Sequence, residues 1–425
     1  MIDTPSTQFQ INRRTIIANI VTLFSGSAIA QAITAVTFIL TARQLGPEQY
    51  GQYTGSMVFA IFCSIVFSLG LNLWLLREGG KTPGRIGKLV GSVLAIKVVI
   101  GFVWLVLMFI VAGWIKSSSL PTDLVRLAAL IVWLDSMFMT ALTGFKAILR
   151  NRVNSLLQIA SAALILGMVV FLVIRGENQA ETFMGVRAAV LFASLLISIM
   201  LAWNSLRLRP SRSTEKLAIS QSPPFAFSEF LSWTYMRADV LIIAFLLNEY
   251  AVGLYAPAEG IVNALYLVPL SINFVMIPVL SSLFSSHIRQ AWITARRFIG
   301  VLGVVGIGLF AALFFGAKYL VYLLGAAYTG SHEILQILSI ILFIHSLTFG
   351  FAAILVATNQ QGKRTVVQAL VVIFNIGLTL LVIQPWGITG VAYVYVLTEV
   401  VLLLGYATLV IRYRNKNPIE TPNSV

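Results

Sequence analysis

The chain has 425 residues, of which 58% are hydrophobic and only 10% are charged. Soluble proteins are about 25% charged, so this composition excludes a soluble domain and indicates a polytopic membrane protein. The net charge of +14 is scattered over many separated segments, which indicates attraction to anionic lipid and argues against a nucleic-acid interface.

Twelve apolar stretches alternate with short loops, and each is close to the ~20 residues that a membrane-spanning helix needs. The predicted spans are 16–41, 50–76, 88–114, 122–146, 153–174, 181–206, 224–247, 251–284, 296–324, 332–357, 365–384 and 387–411. The eighth span contains three prolines, which predict a kink or a tilt. The fold class is therefore all-α, with about twelve transmembrane helices.

The distribution of Lys and Arg sets the orientation, because cytoplasmic loops carry an excess of both. If the N-terminus is cytoplasmic, the inner segments hold 21 of the 29 basic residues and the outer segments hold six, Arg43 and Arg187 among them. Lys97 and Arg237 fall within spans. The sequence therefore predicts cytoplasmic N- and C-termini.

The chain is predicted to be an internal duplication. The segment from Leu45 to Tyr53 and the segment from Leu247 to Tyr255 share Leu, Gly and Tyr at an offset of 202 residues. The predicted units are a six-helix bundle at 1–206, a cytoplasmic linker at 207–223 and a second six-helix bundle at 224–425. Repeated halves of this kind place substrate sites between them, so we expect a central cavity.

The repeated segments also predict local structure. Gly46, Pro47 and Gly51 are typical of a sharp turn between antiparallel helices. The tyrosines of both segments suit the outer membrane interface, where aromatic rings settle; they are Tyr50, Tyr53, Tyr250 and Tyr255. A structural hairpin with an aromatic belt is favoured here over direct contact with substrate.

The sequence lacks the residues and loops that several other functions require. The outer loops are too short for the large loop of a membrane polymerase or ligase, and no phosphate-binding loop of the Walker type occurs. Cys63 is the one cysteine and there are three His, so neither an internal disulfide nor a structural zinc site is expected. We expect no enzyme activity, no metal and no cofactor.

Ionisable side chains near the middle of spans are costly, and they mark cavities or pairing partners. The candidate cavity residues are Arg237, Lys97, Asp239, Asp135, Glu399 and Glu259. In one interpretation, Arg237 and Lys97 bind an anionic group such as a phosphate. In the other, Arg237 forms a structural ion pair, for example with Asp135 or Glu399. For the carboxylates, a proton or sodium site and structural pairing both stay open.

The seventh span is informative because it has two polar faces. Glu229, Trp233 and Arg237 share one helical stripe, whereas Tyr235 and Asp239 share another. A helix with two polar faces cannot contact lipid on both, so this span should line a water-filled cavity.

The chain resembles the bacterial polysaccharide flippases of the multidrug/oligosaccharidyl-lipid/polysaccharide exporter superfamily. The most specific motif is the run Ala42-Arg43-Gln44-Leu45-Gly46-Pro47-Glu48-Gln49-Tyr50-Gly51-Gln52-Tyr53. Supporting matches are Arg237-Ala238-Asp239 with the later Val252-Gly253-Leu254-Tyr255, and Gly387-Ile388-Thr389-Gly390 with Thr398-Glu399.

This resemblance implies two six-helix bundles around a V-shaped cavity and alternating access. It implies an undecaprenyl-pyrophosphate-linked oligosaccharide as substrate, carried to the outer leaflet for O-antigen, exopolysaccharide or a related polymer. It also assigns Arg237 to the pyrophosphate or sugar. Membrane lipid and other polysaccharide-assembly proteins are the expected partners, and a monomer is the expected state.

Two transporter classes remain as alternatives. A cation-coupled multidrug and toxin exporter of the same superfamily would share the twelve spans. A major-facilitator carrier is suggested by the basic, glycine-rich loop from Gly80 to Lys88, but Gly84 stands where that family has its acidic residue.

Overall fold

The computed structural model describes residues 13–115 and 117–416, and within these ranges every regular element is helical. The α-helices are α1 (Arg13–Ser68), α2 (Leu71–Lys81), α3 (Ile86–Ala112), α4 (Thr122–Ala147), α5 (Asn151–Ile174), α6 (Ala180–Leu206), α7 (Arg212–Gln221), α8 (Pro223–Leu246), α9 (Glu249–Leu265), α10 (Leu267–Ser286), α11 (Ile288–Leu324), α12 (Ser331–Ala357) and α13 (Gln361–Lys416). The chain ends at 1–12 and 417–425, which are predicted to be cytoplasmic, lie outside the described ranges.

Two helices each contain two predicted spans. Helix α1 breaks at Gly46, whose φ of 74° is in the left-handed region that glycine adopts without penalty, and α13 breaks at Gly387 with φ 56°. The rings of Phe38 and Tyr50, on opposite sides of the first break, lie 5.3 Å apart. The two arms of α1, residues 13–45 and 47–68, therefore fold back on each other.

Nine helical segments of the described chain are long and apolar enough to cross a membrane, counting α9 and α10 as one. Two of these nine are the broken helices α1 and α13. Helix α8 is not among them, since it carries Glu229, Arg237 and Asp239, but it forms over 24 residues as predicted. The all-α polytopic fold class is confirmed.

The boundaries differ from the prediction in three places. The second span was predicted to run to residue 76, but α1 ends at Ser68, and left-handed Leu69 and Gly70 separate it from the short amphipathic α2. The eighth span is divided at Tyr266 into α9 and α10. The predicted linker 207–223 contains a helix, α7, between the end of α6 and the start of α8.

The two predicted halves share a core. One buried apolar cluster contains side chains from both halves, and a second is confined to helices α10 to α13. The closest approach between the halves is a crossing of α1 and α9. A Cβ built on Gly51 would overlap the carbonyl of Glu249, and one built on Gly253 would overlap the carbonyl of Pro47. Only glycine permits this backbone contact.

A second contact holds the halves together at the same end. The hydroxyl of Tyr328 donates to the carbonyl of Ala42 over 2.6 Å, and burial raises the pKa of Tyr328, which keeps the donor protonated. We call this end of the molecule, with the Gly51 and Gly253 crossing, the closed end. The charge distribution predicts that it faces outward.

The crossing corrects two predictions. Gly51 is a helical contact residue and the turn itself is made at Gly46. Two of the four tyrosines assigned to an aromatic belt, Tyr50 and Tyr255, are fully buried in protein. They stay inside because Tyr50 stacks on Tyr53 and the Tyr255 hydroxyl has a buried partner.

Candidate functional site

Two neighbouring cavities are lined by the first half of the chain, and α8 of the second half also lines the smaller one. The larger cavity has a volume of about 380 Å³ and lies between α1, α4, α5 and α6. The smaller cavity, about 240 Å³, lies between α1, α2, α3, α4, α6 and α8. Asp135, Met139 and Arg187 line both, so the two cavities share a wall at the middle of the half.

Lys97 is the central cation of the smaller cavity. It lies on α3 and is 1% exposed. Its Nζ donates to Ser136 Oγ at 2.8 Å, to Asn72 Oδ1 at 3.0 Å and to the Ser136 carbonyl at 3.3 Å. All three acceptors are neutral, and Lys97 forms no ion pair within the described part of the chain. Its charge is therefore held in place without being neutralised by a contact.

Arg187 is the second cation and it lies on the shared wall. Its Nη1 donates to the hydroxyl of Tyr53 at 2.8 Å, and its Nε is buried without a hydrogen-bond partner. Half-buried Asp135 lines the same wall and accepts no hydrogen bond from the described residues. The charge distribution counted Arg187 with the outer segments, and the structure places it within α6. It is seven residues inside α6, or about 10 Å along the axis at 1.5 Å per residue.

Helix α8 contributes to this site from the second half. Glu229 and Trp233, two members of its first polar stripe, line the smaller cavity. The Glu229 carboxylate accepts a hydrogen bond of 3.2 Å from Ser68. The stripe faces a cavity, which is what its polarity predicted.

Arg237, the third member of that stripe, is 28% exposed and forms an ion pair with a buried carboxylate. Its Nη1 is 2.7 Å from Glu259 Oε2, and the Glu259 side chain is 0% exposed. The other oxygen of Glu259 accepts from Asn263 at 2.9 Å. The partner is thus Glu259 on α9, and neither Asp135 nor Glu399. Arg237 does not line either of the two cavities.

The second polar face of α8 is also satisfied within the second half. Buried Asp239 accepts from the hydroxyl of Tyr255 and, at 2.8 Å, from the backbone of Val240. Tyr235 donates to fully buried Glu399 on α13.

His345 completes this second network. Its Nδ1 lies 3.0 Å from Glu399, and its ring stacks on Tyr266 at 4.4 Å between centroids. His345 thus has a hydrogen-bonded packing position in the second half. No group of three or more His, Cys, Asp or Glu side chains is placed to hold a metal in the described ranges.

The six predicted cavity residues thus separate into two sets. Lys97 and Asp135 line a cavity in the first half. The other four lie in paired, buried networks of the second half; they are Arg237, Asp239, Glu259 and Glu399. The chemistry available at the cavities is anion binding by Lys97 and Arg187, beside two carboxylates and several hydroxyl and amide groups.

The motif residues of the sequence analysis take structural positions. Gly46, Pro47, Gly51 and Gly253 build the break in α1 and the crossing at the closed end. Tyr53 differs from them because it lines the larger cavity and holds Arg187. Arg43 is exposed.

A polytopic helical fold with polar cavities between its helices is typical of membrane transporters. Comparison with known proteins gives the family. Residues 16–284 match the family model described as polysaccharide biosynthesis protein. The match covers more than half of the chain, so the chain belongs to this family. The resemblance stated from its motifs is confirmed.

Solved structures agree with this fold. An inward-facing multidrug resistance MATE family transporter of the MOP superfamily matches with a TM-score of 0.75 and 12% identity, covering 92% of this chain and 96% of that one. The lipid II flippase MurJ in an inward closed conformation matches at 0.69 and 13%, covering 92% and 87%. An outward-facing MATE transporter matches at 0.63 and 13%, covering 94% and 97%.

These three are transporters and a flippase, in agreement with the expectation that the chain is not an enzyme. None of the curated proteins matches the chain.

Proposed function

We propose that the chain flips an undecaprenyl-pyrophosphate-linked oligosaccharide from the inner to the outer leaflet of the bacterial cytoplasmic membrane, for cell-surface polysaccharide biosynthesis. The family supports the polysaccharide role, and the fold shared with MurJ and MATE proteins supports transport. The observation that carries the headgroup assignment is Lys97, a buried ammonium that faces a cavity and has only neutral contacts.

Lys97 and Arg187 are charged groups in the low-dielectric wall of the smaller cavity. Phosphate oxygens form strong charge-assisted hydrogen bonds with ammonium and guanidinium groups. Lys97 and Arg187 both line the smaller cavity, and we assign the pyrophosphate to this cavity. Arg237, which the resemblance assigns to the substrate, is held by Glu259 in this conformation, and we propose that it contributes through the shape of α8.

Alternating access follows from the closed end. The halves contact each other at Gly51 and Gly253, and transport requires this contact to open while the other end closes. We propose that the cycle is coupled to H⁺ or Na⁺. Asp135 is the carboxylate we assign to this role, because it is half-buried at the site and accepts no hydrogen bond from the described residues. The chain would act as a monomer beside other assembly proteins.

The test is the lipid-linked intermediate profile of cells. Deletion of the chain should cause undecaprenyl-linked oligosaccharide to accumulate in the inner leaflet, and wild type should clear it. If nothing accumulates and the deletion instead sensitises cells to cationic drugs, the multidrug exporter is the better assignment.

A further inference from the structure

The larger cavity has polar groups that a pyrophosphate does not use. Gln31 on α1 and Gln158 on α5 line it, and neither amide makes a hydrogen bond within the described part of the chain. An amide offers two donors and an acceptor. These two amides, one on α1 and one on α5, can therefore serve a ligand that both donates and accepts.

Threonines add acceptors to the same lining. Thr34 and Thr37 donate their hydroxyl protons to backbone carbonyls one turn earlier, at 2.8 and 2.9 Å. Their oxygens keep lone pairs, since a hydroxyl is one donor with two acceptor sites. Both residues line the larger cavity, which is therefore rich in acceptors for hydroxyl groups.

The charge of this cavity is balanced. Among its lining residues, Asp135 and Arg187 are the charged ones. The Arg187 guanidinium already donates one hydrogen bond to the hydroxyl of Tyr53. An acidic ligand would meet the Asp135 carboxylate, and a cationic ligand would meet Arg187. An uncharged ligand with many hydroxyls is repelled by neither charged group.

The size of the cavity also suits a small ligand. Its volume of about 380 Å³ lies at the lower end of the roughly 300–1,000 Å³ found for small-molecule pockets. Phe38 and Phe138 line it as well and offer apolar faces. Asp135, Met139 and Arg187 line the smaller cavity as well, so the two cavities are neighbours.

We infer that the larger cavity is a saccharide subsite that binds an uncharged sugar of the headgroup, while the smaller cavity binds the pyrophosphate. This assignment rests on the proposed function and goes beyond it by naming the sugar class and its residues. Gln31 and Gln158 hydrogen-bond the sugar hydroxyls.

The experiment compares two lipids on the purified full chain in lipid nanodiscs. One probe is the lipid-linked oligosaccharide extracted from cells that lack the chain, and the other is undecaprenyl pyrophosphate without sugar. The variant Gln31→Ala/Gln158→Ala should bind the sugar-bearing lipid at least about tenfold more weakly, from two lost hydrogen bonds. Its affinity for undecaprenyl pyrophosphate should stay within about twofold of wild type.

Two matched variants complete the design. Gln290→Ala removes an exposed amide on α11, away from both cavities, and should bind both lipids as wild type does. Lys97→Met should weaken both lipids. The subsite is refuted if the double variant weakens both lipids equally or neither. If the deletion cells accumulate no lipid-linked oligosaccharide, the proposed function itself fails and the subsite falls with it.

Discussion

The two halves of this chain differ in the contacts of their charged side chains. In the first half, Lys97 and Asp135 line cavities and form no ion pair within the described residues. In the second half, Arg237 pairs with Glu259, and Glu399 is held by a tyrosine and a histidine. The halves are predicted to be repeats, but their polar groups have different contacts.

This difference separates binding from structure. A charge that faces a cavity can meet a ligand, whereas a buried and paired charge costs stability when its partner is removed. Substitutions in the first half should therefore change transport at constant stability. Substitutions in the second half should change stability first.

The largest effect is expected for the buried ion pair. Glu259→Gln leaves the Arg237 guanidinium without its carboxylate, and removal of one partner of a buried pair costs about 3–5 kcal/mol. The thermal unfolding midpoint of the purified protein should fall accordingly. The double variant Arg237→Gln/Glu259→Gln should recover part of this loss, because no unpaired charge remains. A single variant as stable as wild type would remove the structural role of the pair.

Lys97→Met should have the second-largest effect, and this effect should be on transport. It removes the ammonium and keeps the length of the side chain, so the loss of a charge-assisted contact of about 1.5–3 kcal/mol predicts roughly ten- to a hundredfold slower clearance of the intermediate. The unfolding midpoint should be unchanged. Lys81→Met, at an exposed lysine on α2, is the control. A large loss of stability in Lys97→Met would place Lys97 with the structural charges.

Gly51→Ala tests the closed end. The added methyl overlaps the Glu249 carbonyl, and such overpacking costs about 1–3 kcal/mol. The closed end should open, seen as increased labelling of a cysteine introduced at Ala244, and transport should slow. Gly316→Ala, where a methyl meets no atom within 4 Å, should behave as wild type. Unchanged labelling in Gly51→Ala would show that this crossing does not control access.

The smallest effect is expected at Tyr53. Tyr53→Phe removes the hydroxyl that accepts from Arg187 and keeps the ring. The loss of one hydrogen bond of about 1 kcal/mol predicts about fivefold weaker binding of undecaprenyl pyrophosphate, measured in nanodiscs. Tyr250→Phe, at an exposed ring, should have no effect. Equal affinities for Tyr53→Phe and wild type would mean that Arg187 needs no positioning.

The spans were predictable because composition and length determine them. Even α8, with three charged residues, was predicted as a helix, and its two polar faces predicted a cavity on one side. The division of the eighth span at Tyr266 and the helix in the linker were not predicted. Both depend on tertiary packing, since neither site carries a distinct local signal.

The site was harder to predict than the fold. Lys97 and Asp135 were found because charges in apolar spans stand out. Arg187 was missed because it lies near the predicted start of a span, where a loop residue and a helix residue look alike. Counting helical rise from residue 181 would have placed it inside the membrane. The pairing of Arg237 with Glu259 joins two helices and is not visible in sequence.

The central claim is that the first half binds the headgroup. It is tested most directly by complementing deletion cells with Lys97→Met and with Arg237→Gln/Glu259→Gln, each adjusted to the wild-type protein level in the membrane. We expect the Lys97→Met cells to accumulate undecaprenyl-linked oligosaccharide in the inner leaflet and the double-variant cells to clear it. Clearance by Lys97→Met together with accumulation in the double variant would contradict the account. Headgroup binding would then be assigned to Arg237.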